Sequence, residues 1–179
     1  MGQPGLPGQA GPPFPSQDLL NYERQCAAGV QSWRPGSVDY PAPLRAAAGE
    51  AATYEAAVDI RTNPLPPTQV ISAPEAAGKS LSVSCSVQAR LRPVGDEVTI
   101  SPDDWARRTF TPDGVANWVW QVTVSDPGPH QVFLELQPVM TVGGFDFTVA
   151  DCTGWIVRGL RDIRTEPLVD AHSMVVAFK

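Results

Sequence analysis

Between Ala116 and Met140 apolar side chains fall on alternate positions, twice over. Trp118, Trp120, Val122 and Val124 share one face of the first run, and Asn117, Gln121 and Thr123 share the other. In the second run Val132, Leu134 and Leu136 alternate with Gln131, Glu135 and Gln137. A side-chain period of two cannot gather its apolar residues on one side of a helix. It requires strands with one wet face and one buried face. Asp126-Pro127-Gly128 supplies the backbone for a reversal between the runs. The expected result is a β-hairpin whose core residues are Trp118, Trp120, Val122, Leu134 and Leu136.

The same period recurs. Leu81, Val83, Cys85, Val87, Ala89 and Leu91 alternate with serines, Gln88 and Arg90, which reads as one long strand with Cys85 on its core side. Tyr54, Ala56, Val58 and Ile60 mark a strand over Ala51–Arg61, and short strands are expected at Glu97–Ile100 and Arg107–Phe110. A Gly143-Gly144 tip precedes the alternating Phe145, Phe147 and Val149, and Ser173–Phe178 reads as a last strand. Helical signals are few. Ser16 can cap a short helix that ends by Gly29, and Ala73–Ala77 allows a helical turn. The chain holds 19 prolines and 15 glycines in 179 residues, a composition that breaks helices and suits turns. Eight or nine short strands closed by Gly, Pro, Asn or Asp predict an all-β antiparallel β-sandwich, immunoglobulin-like, with a jelly roll as the alternative.

The predicted organisation is an extended Pro/Gly-rich arm with a short helix over residues 1–35, then the sandwich over residues 36–179. Glycines at positions 2, 5, 8 and 11 set a collagen-like G-X-Y register, too short to be a stable triple helix alone. A plain Pro/Gly linker is the other reading.

Net charge is −6, which argues against nucleic acid or an anionic membrane surface as partner, since both require a basic patch. No run of 18 apolar residues occurs, so no membrane insertion by this chain is expected, and the start of the sequence lacks the charged and apolar regions of a signal peptide. Cys26, Cys85 and Cys152 form no CxxC pair. In a reducing compartment all three are small buried hydrophobes; if a disulfide forms, Cys85 with Cys152 is preferred, because Cys152 follows a strand that can lie opposite Cys85, and Cys26 with either is the alternative. A disulfide would favour an extracytoplasmic location.

Catalytic and metal-binding patterns are missing from the sequence. No G-x-S-x-G elbow accompanies His130 or His172. The acidic pairs Asp96-Glu97 and Asp103-Asp104 lack the D-x-D-x-D-G pattern of a calcium loop. Arg158, Arg161 and Arg164 are interleaved with Asp162 and Glu166 and read as a self-paired, solvated face. No cofactor, metal or catalytic residue is expected. Of the five tryptophans, Trp118 and Trp120 belong to the core, while Trp33, Trp105 and Trp155 lie near turns. Trp105 and Trp155 are the candidate surface aromatics for stacking on carbohydrate.

The succession V-Q-A-R-L, V-T-I-S-P, R-R-T-F, W-V-W-Q-V-T and G-P-H-Q-V-F-L-E-L, within residues 81–140, resembles an immunoglobulin-like β-sandwich accessory module of multidomain bacterial proteins. The resemblance covers about a third of the chain. It implies a non-catalytic domain beside a membrane segment or an effector domain, and carries no active-site residues with it. The functional expectation is therefore a structural or protein-interaction module of a larger bacterial assembly, with a protein partner or self-association. The alternatives are an extracellular carbohydrate- or surface-binding module, and a virion or fibre component trimerised through the collagen-like start. An enzyme is not expected.

Overall fold

Ser16 begins the first element as the sequence predicts: its hydroxyl accepts from the Leu19 amide at 3.3 Å and caps helix α1, Gln17–Ala27. The computed structural model describes residues 16–30, 32–142, 145–148 and 172–178. The expected collagen-like register, the Gly143-Gly144 tip, Cys152, Trp155 and the Arg158/Arg161/Arg164 run lie outside them.

After α1 most of the described residues are strand: β1 Arg34–Pro41, β2 Arg45–Ala46, β3 Ala51–Asp59, β4 Ala76–Val83, β5 Ser86–Val94, β6 Val98–Ser101, β7 Ala106–Thr109, β8 Val115–Val124, β9 Gly128–Val142, β10 Phe145–Thr148 and β11 His172–Phe178. One further helical turn, α2, spans Pro67–Val70. The strands form two sheets. The first has the order β4-β1-β3-β8-β6, and the second the order β2-β11-β9-β5-β7, with β10 also paired to β9. The described pairings are antiparallel, apart from the short parallel contact of β11 with β2. The fold is an antiparallel β-sandwich, compatible with an immunoglobulin-like arrangement.

Alternation explains the core. Trp118, Trp120, Val122 and Val124 from β8 meet Val132, Leu134 and Leu136 from β9 between the sheets, all buried. Tyr54 stands opposite Trp120 in the β3–β8 register and meets it edge-on, with ring centroids 6.0 Å apart. Trp118 ties the layers together by donating its indole N–H to the Ala106 carbonyl on β7, 2.6 Å away. Leu19 and Tyr22 of α1 join the same core, so the helix closes one end of the sandwich.

Three expectations are corrected. The runs 116–124 and 128–140 are strands, but they do not pair as a hairpin: β8 lies in the first sheet and β9 in the second. Ser125–Pro127 is an arch between layers. Both runs face the same core from opposite sides, which gives the alternation a hairpin would also show. The Leu81–Leu91 alternation likewise spans two strands. The chain leaves the first sheet after Val83 and enters the second at Ser86. Ser84 is buried at this crossing, its hydroxyl 3.0 Å from the Ser86 carbonyl and 3.1 Å from the Val139 carbonyl, positions between which one O–H can share its donation. Finally, Ala73–Ala77 is no helical turn. The turn forms earlier, at Pro67, whose fixed φ suits a helix start, and strand β4 already begins at Ala76.

Candidate functional site

The outer face of the second sheet concentrates charge and aromatic surface. Gln88, Arg90 and Arg92 point outward from β5, and their register partners on β9 are Gln137, Glu135 and Phe133. Each cross-strand pair makes a specific contact. The Gln88 amide donates to Gln137 at 2.9 Å. Arg90 grips Glu135 through Nε at 2.9 Å and a terminal nitrogen at 2.6 Å. The Arg92 guanidinium lies 4.9 Å from the centre of the Phe133 ring and also reaches Glu135, at 3.0 Å. Trp105, from the loop before β7, covers Arg90 at 4.7 Å. Two guanidinium groups are thus held by one shared carboxylate, each over an aromatic ring. Such stacking fixes the long side chains before any partner arrives. The Arg92 side chain stays 46% exposed and that of Arg90 31%. Trp105, the candidate surface aromatic, sits at this face half-buried, with the Arg90 guanidinium on its ring.

At the end of the sandwich closed by α1, the disulfide joins Cys26 to Cys85, not Cys85 to Cys152. Cys85 does not face a strand across the core. It sits where the chain crosses between sheets, and that turns it towards α1. Leu19, Tyr22 and Cys26 occupy one helical stripe at spacings of three and four, a pattern that aims Cys26 inward with the two buried side chains. The sequence held that signal. The bond borders a cavity of about 480 Å³ lined chiefly by apolar groups, among them Ile60, Phe110 and Val139.

Two carboxylates are buried on the outer face of the first sheet, Asp39 on β1 and Asp59 on β3. Segment 61–75 covers them. Asp59 accepts from the Arg61 amide and Nε, both at 2.9 Å, from a terminal Arg61 nitrogen at 2.7 Å, and from the Leu65 amide at 3.3 Å. These bonds raise the pKa of Arg61 further, the hydrogen bonding to Asp59 outweighing its partial burial. Farther along, Glu55 anchors the Ser72 amide at 2.8 Å. Asp39 is less well served. Oδ1 accepts from the Ser37 hydroxyl at 3.1 Å, while buried Oδ2 has no hydrogen-bond partner. Burial, and secondarily the charge of Asp59, push its pKa up to about 6, against the opposing pull of Ser37 and Arg61. Sequence reading missed this pair because Asp39 and Asp59 are outward-facing positions of their strands. Only the fold shows that segment 61–75 covers that face.

The remaining candidates are dispersed. Asp96, Glu97, Asp103 and Asp104 are exposed in loops. His130 lies on β9, its ring nitrogen 2.9 Å from the Asp126 carbonyl, and His172 opens β11. Among the described residues no cluster of three or more His, Cys, Asp or Glu could hold a metal ion. No helix among them is long and apolar enough to cross a membrane. Compared with protein-family models, curated proteins and solved structures, the chain shows no match.

Proposed function

We propose that the chain is a non-catalytic structural or protein-interaction module of a larger bacterial assembly, an immunoglobulin-like accessory domain that docks through the outer face of its second sheet. The observation that carries this reading is the Arg90–Trp105 and Arg92–Phe133 stacks sharing Glu135. Arg and Trp dominate the energetic centres of protein interfaces, where their planar surfaces are desolvated together. Pre-ordered side chains also lose less entropy on binding than free ones. On the strands of this face Arg90 and Arg92 share Glu135, with Asp103 at its rim, so the two guanidinium groups are the cationic feature that an acidic group on a partner would meet.

The test is in-cell crosslinking in a bacterium that carries the protein, with light scattering on the purified chain to detect self-association. One protein, or a second copy, should be captured in stoichiometric amount. Arg92→Glu and Trp105→Ala should each reduce that capture by about tenfold or more without lowering the melting temperature. Equal capture by both variants, or the absence of any stoichiometric partner, refutes the reading.

A further inference from the structure

A second recess lies on the other side of the molecule, between α1 and the outer face of the first sheet. It is a cleft of about 710 Å³, within the range of small-molecule sites. Its charges cancel: Arg34 pairs with Asp18 at 2.6 Å and Arg61 with Asp59 at 2.7 Å, and these are the four charged residues that line it. A cleft so balanced has no electrostatic reason to select an anion or a cation.

Its frame is rigid. Arg34 donates from Nε to the Ile60 carbonyl at 2.7 Å and reaches Thr62 Oγ1 at 3.3 Å, with its guanidinium 5.7 Å from the centre of the Tyr22 ring. Tyr22 donates its hydroxyl to the Ser32 carbonyl at 3.3 Å. Burial pushes the pKa of that phenol up to about 12, so it stays a neutral donor. Beside the apolar Pro35, Ile60 and Pro64, the remaining lining includes neutral polar groups. Asn21 and Gln25 lie one helical turn apart on α1, and Ser37 and Ser80 stand opposite each other across β1 and β4. At the wall is Trp33, 47% exposed and outside the core.

A half-exposed indole beside amides and hydroxyls, with no net charge, matches the chemistry of a sugar ring. The C–H face of the ring stacks on the indole, and its rim of hydroxyls both donates to and accepts from the neutral polar groups. We infer that this cleft binds a neutral oligosaccharide, with Trp33 as the stacking platform and Asn21 and Gln25 reading the ring hydroxyls. The site is separate from the proposed docking face and does not depend on it.

The experiment uses the intact oxidised chain. Cellotriose, xylotriose, maltotriose, mannotriose and chitotriose are titrated in ligand-observed saturation-transfer NMR and in calorimetry. Trigalacturonate and inorganic phosphate are run beside them as charged probes. At least one neutral trisaccharide should bind saturably. Trp33→Ala should weaken it by about tenfold or more, and Asn21→Ala by a smaller factor, both with unchanged melting temperature. Arg92→Glu, on the opposite face, should leave it unaltered. The inference is overturned if no neutral trisaccharide binds, if only trigalacturonate or phosphate binds, or if binding survives Trp33→Ala intact.

Discussion

Asp39 should make this fold more stable when its carboxyl is protonated or replaced. The side chain is 1% exposed and one of its oxygens has no hydrogen-bond partner. Burial raises its pKa to about 6 from the ordinary 3.8. The sign follows from proton binding. In the interval between the two values the folded chain holds a proton that the unfolded chain has released. On this group's account stability therefore grows as the pH falls from about 7 to about 4, and the cost is fully present above the folded value. Two pKa units correspond to roughly 3 kcal/mol. Asp39→Asn keeps the oxygen that accepts from Ser37 and removes the charge. It leaves an amide in the place of the unpartnered oxygen, which costs about 1 kcal/mol. The net gain at pH about 7.5 is ~2 kcal/mol, or ~4–8 °C in melting temperature for a chain of this size. At pH about 4.5 the gain should shrink to within ~0.5 kcal/mol, because the native Asp39 is then neutral in the fold. Urea or thermal unfolding of both proteins from pH about 4.5 to 8 measures the difference. A pH-independent gap, or an Asn variant less stable at every pH, would mean that the charged carboxylate has a compensating partner, and would refute the reasoning.

Two other outcomes follow from the covered face and the covalent tie. The Cys26–Cys85 bond closes a loop of 59 residues, and the chain-entropy relation assigns ~4 kcal/mol to a loop of that length. Reduction, or Cys26→Ser, should cost about 2–4 kcal/mol in denaturant unfolding, whereas Cys152→Ser should leave the mapped disulfide peptide unchanged; a Cys152 link in the peptide map would contradict the pairing. Asp59→Asn strips Arg61 of a buried ionic partner, a loss of about 2–4 kcal/mol. In hydrogen exchange the Leu65 amide, which donates to Asp59 Oδ2, should lose protection before the β8 amides do; equal protection in variant and wild type would show that segment 61–75 is held by other contacts.

Which residues face the core was legible from period alone. Trp118, Trp120, Val122, Leu134 and Leu136 are buried as their alternation requires. Which strand pairs with which was not. Inward-facing residues of both layers obey one alternation, so the passage from β8 to β9 reads like a hairpin and the passage from β4 to β5 like an unbroken strand. Pairing is decided by backbone hydrogen bonds between distant segments, such as β5 with β9, that leave no local trace. The same limit hid the site residues. Arg90, Trp105, Phe133 and Glu135 come from three segments and gain meaning only in register. Trp105 was recognisable as a turn aromatic, but the arginine that covers it was not. Cys26 was recognisable in principle, from its place on the stripe with Leu19 and Tyr22.

The covalent link between α1 and the start of β5 also decides how the domain would carry load. Tension entering along the backbone from the N-terminal side reaches Cys26 and passes through sulfur to Cys85. It bypasses everything between, including β1, β3 and β4. Three strands of the first sheet are then mechanically sheltered, and the strain falls on the strands that follow Cys85, β6 and β8 of the first sheet among them. The bypassed stretch, 59 residues by sequence separation, is about 200 Å of contour length that stays hidden while the bond is oxidised. In a reducing environment that length becomes available once the bypassed strands are pulled from the sheet, so under tension the domain extends less when oxidised than when reduced.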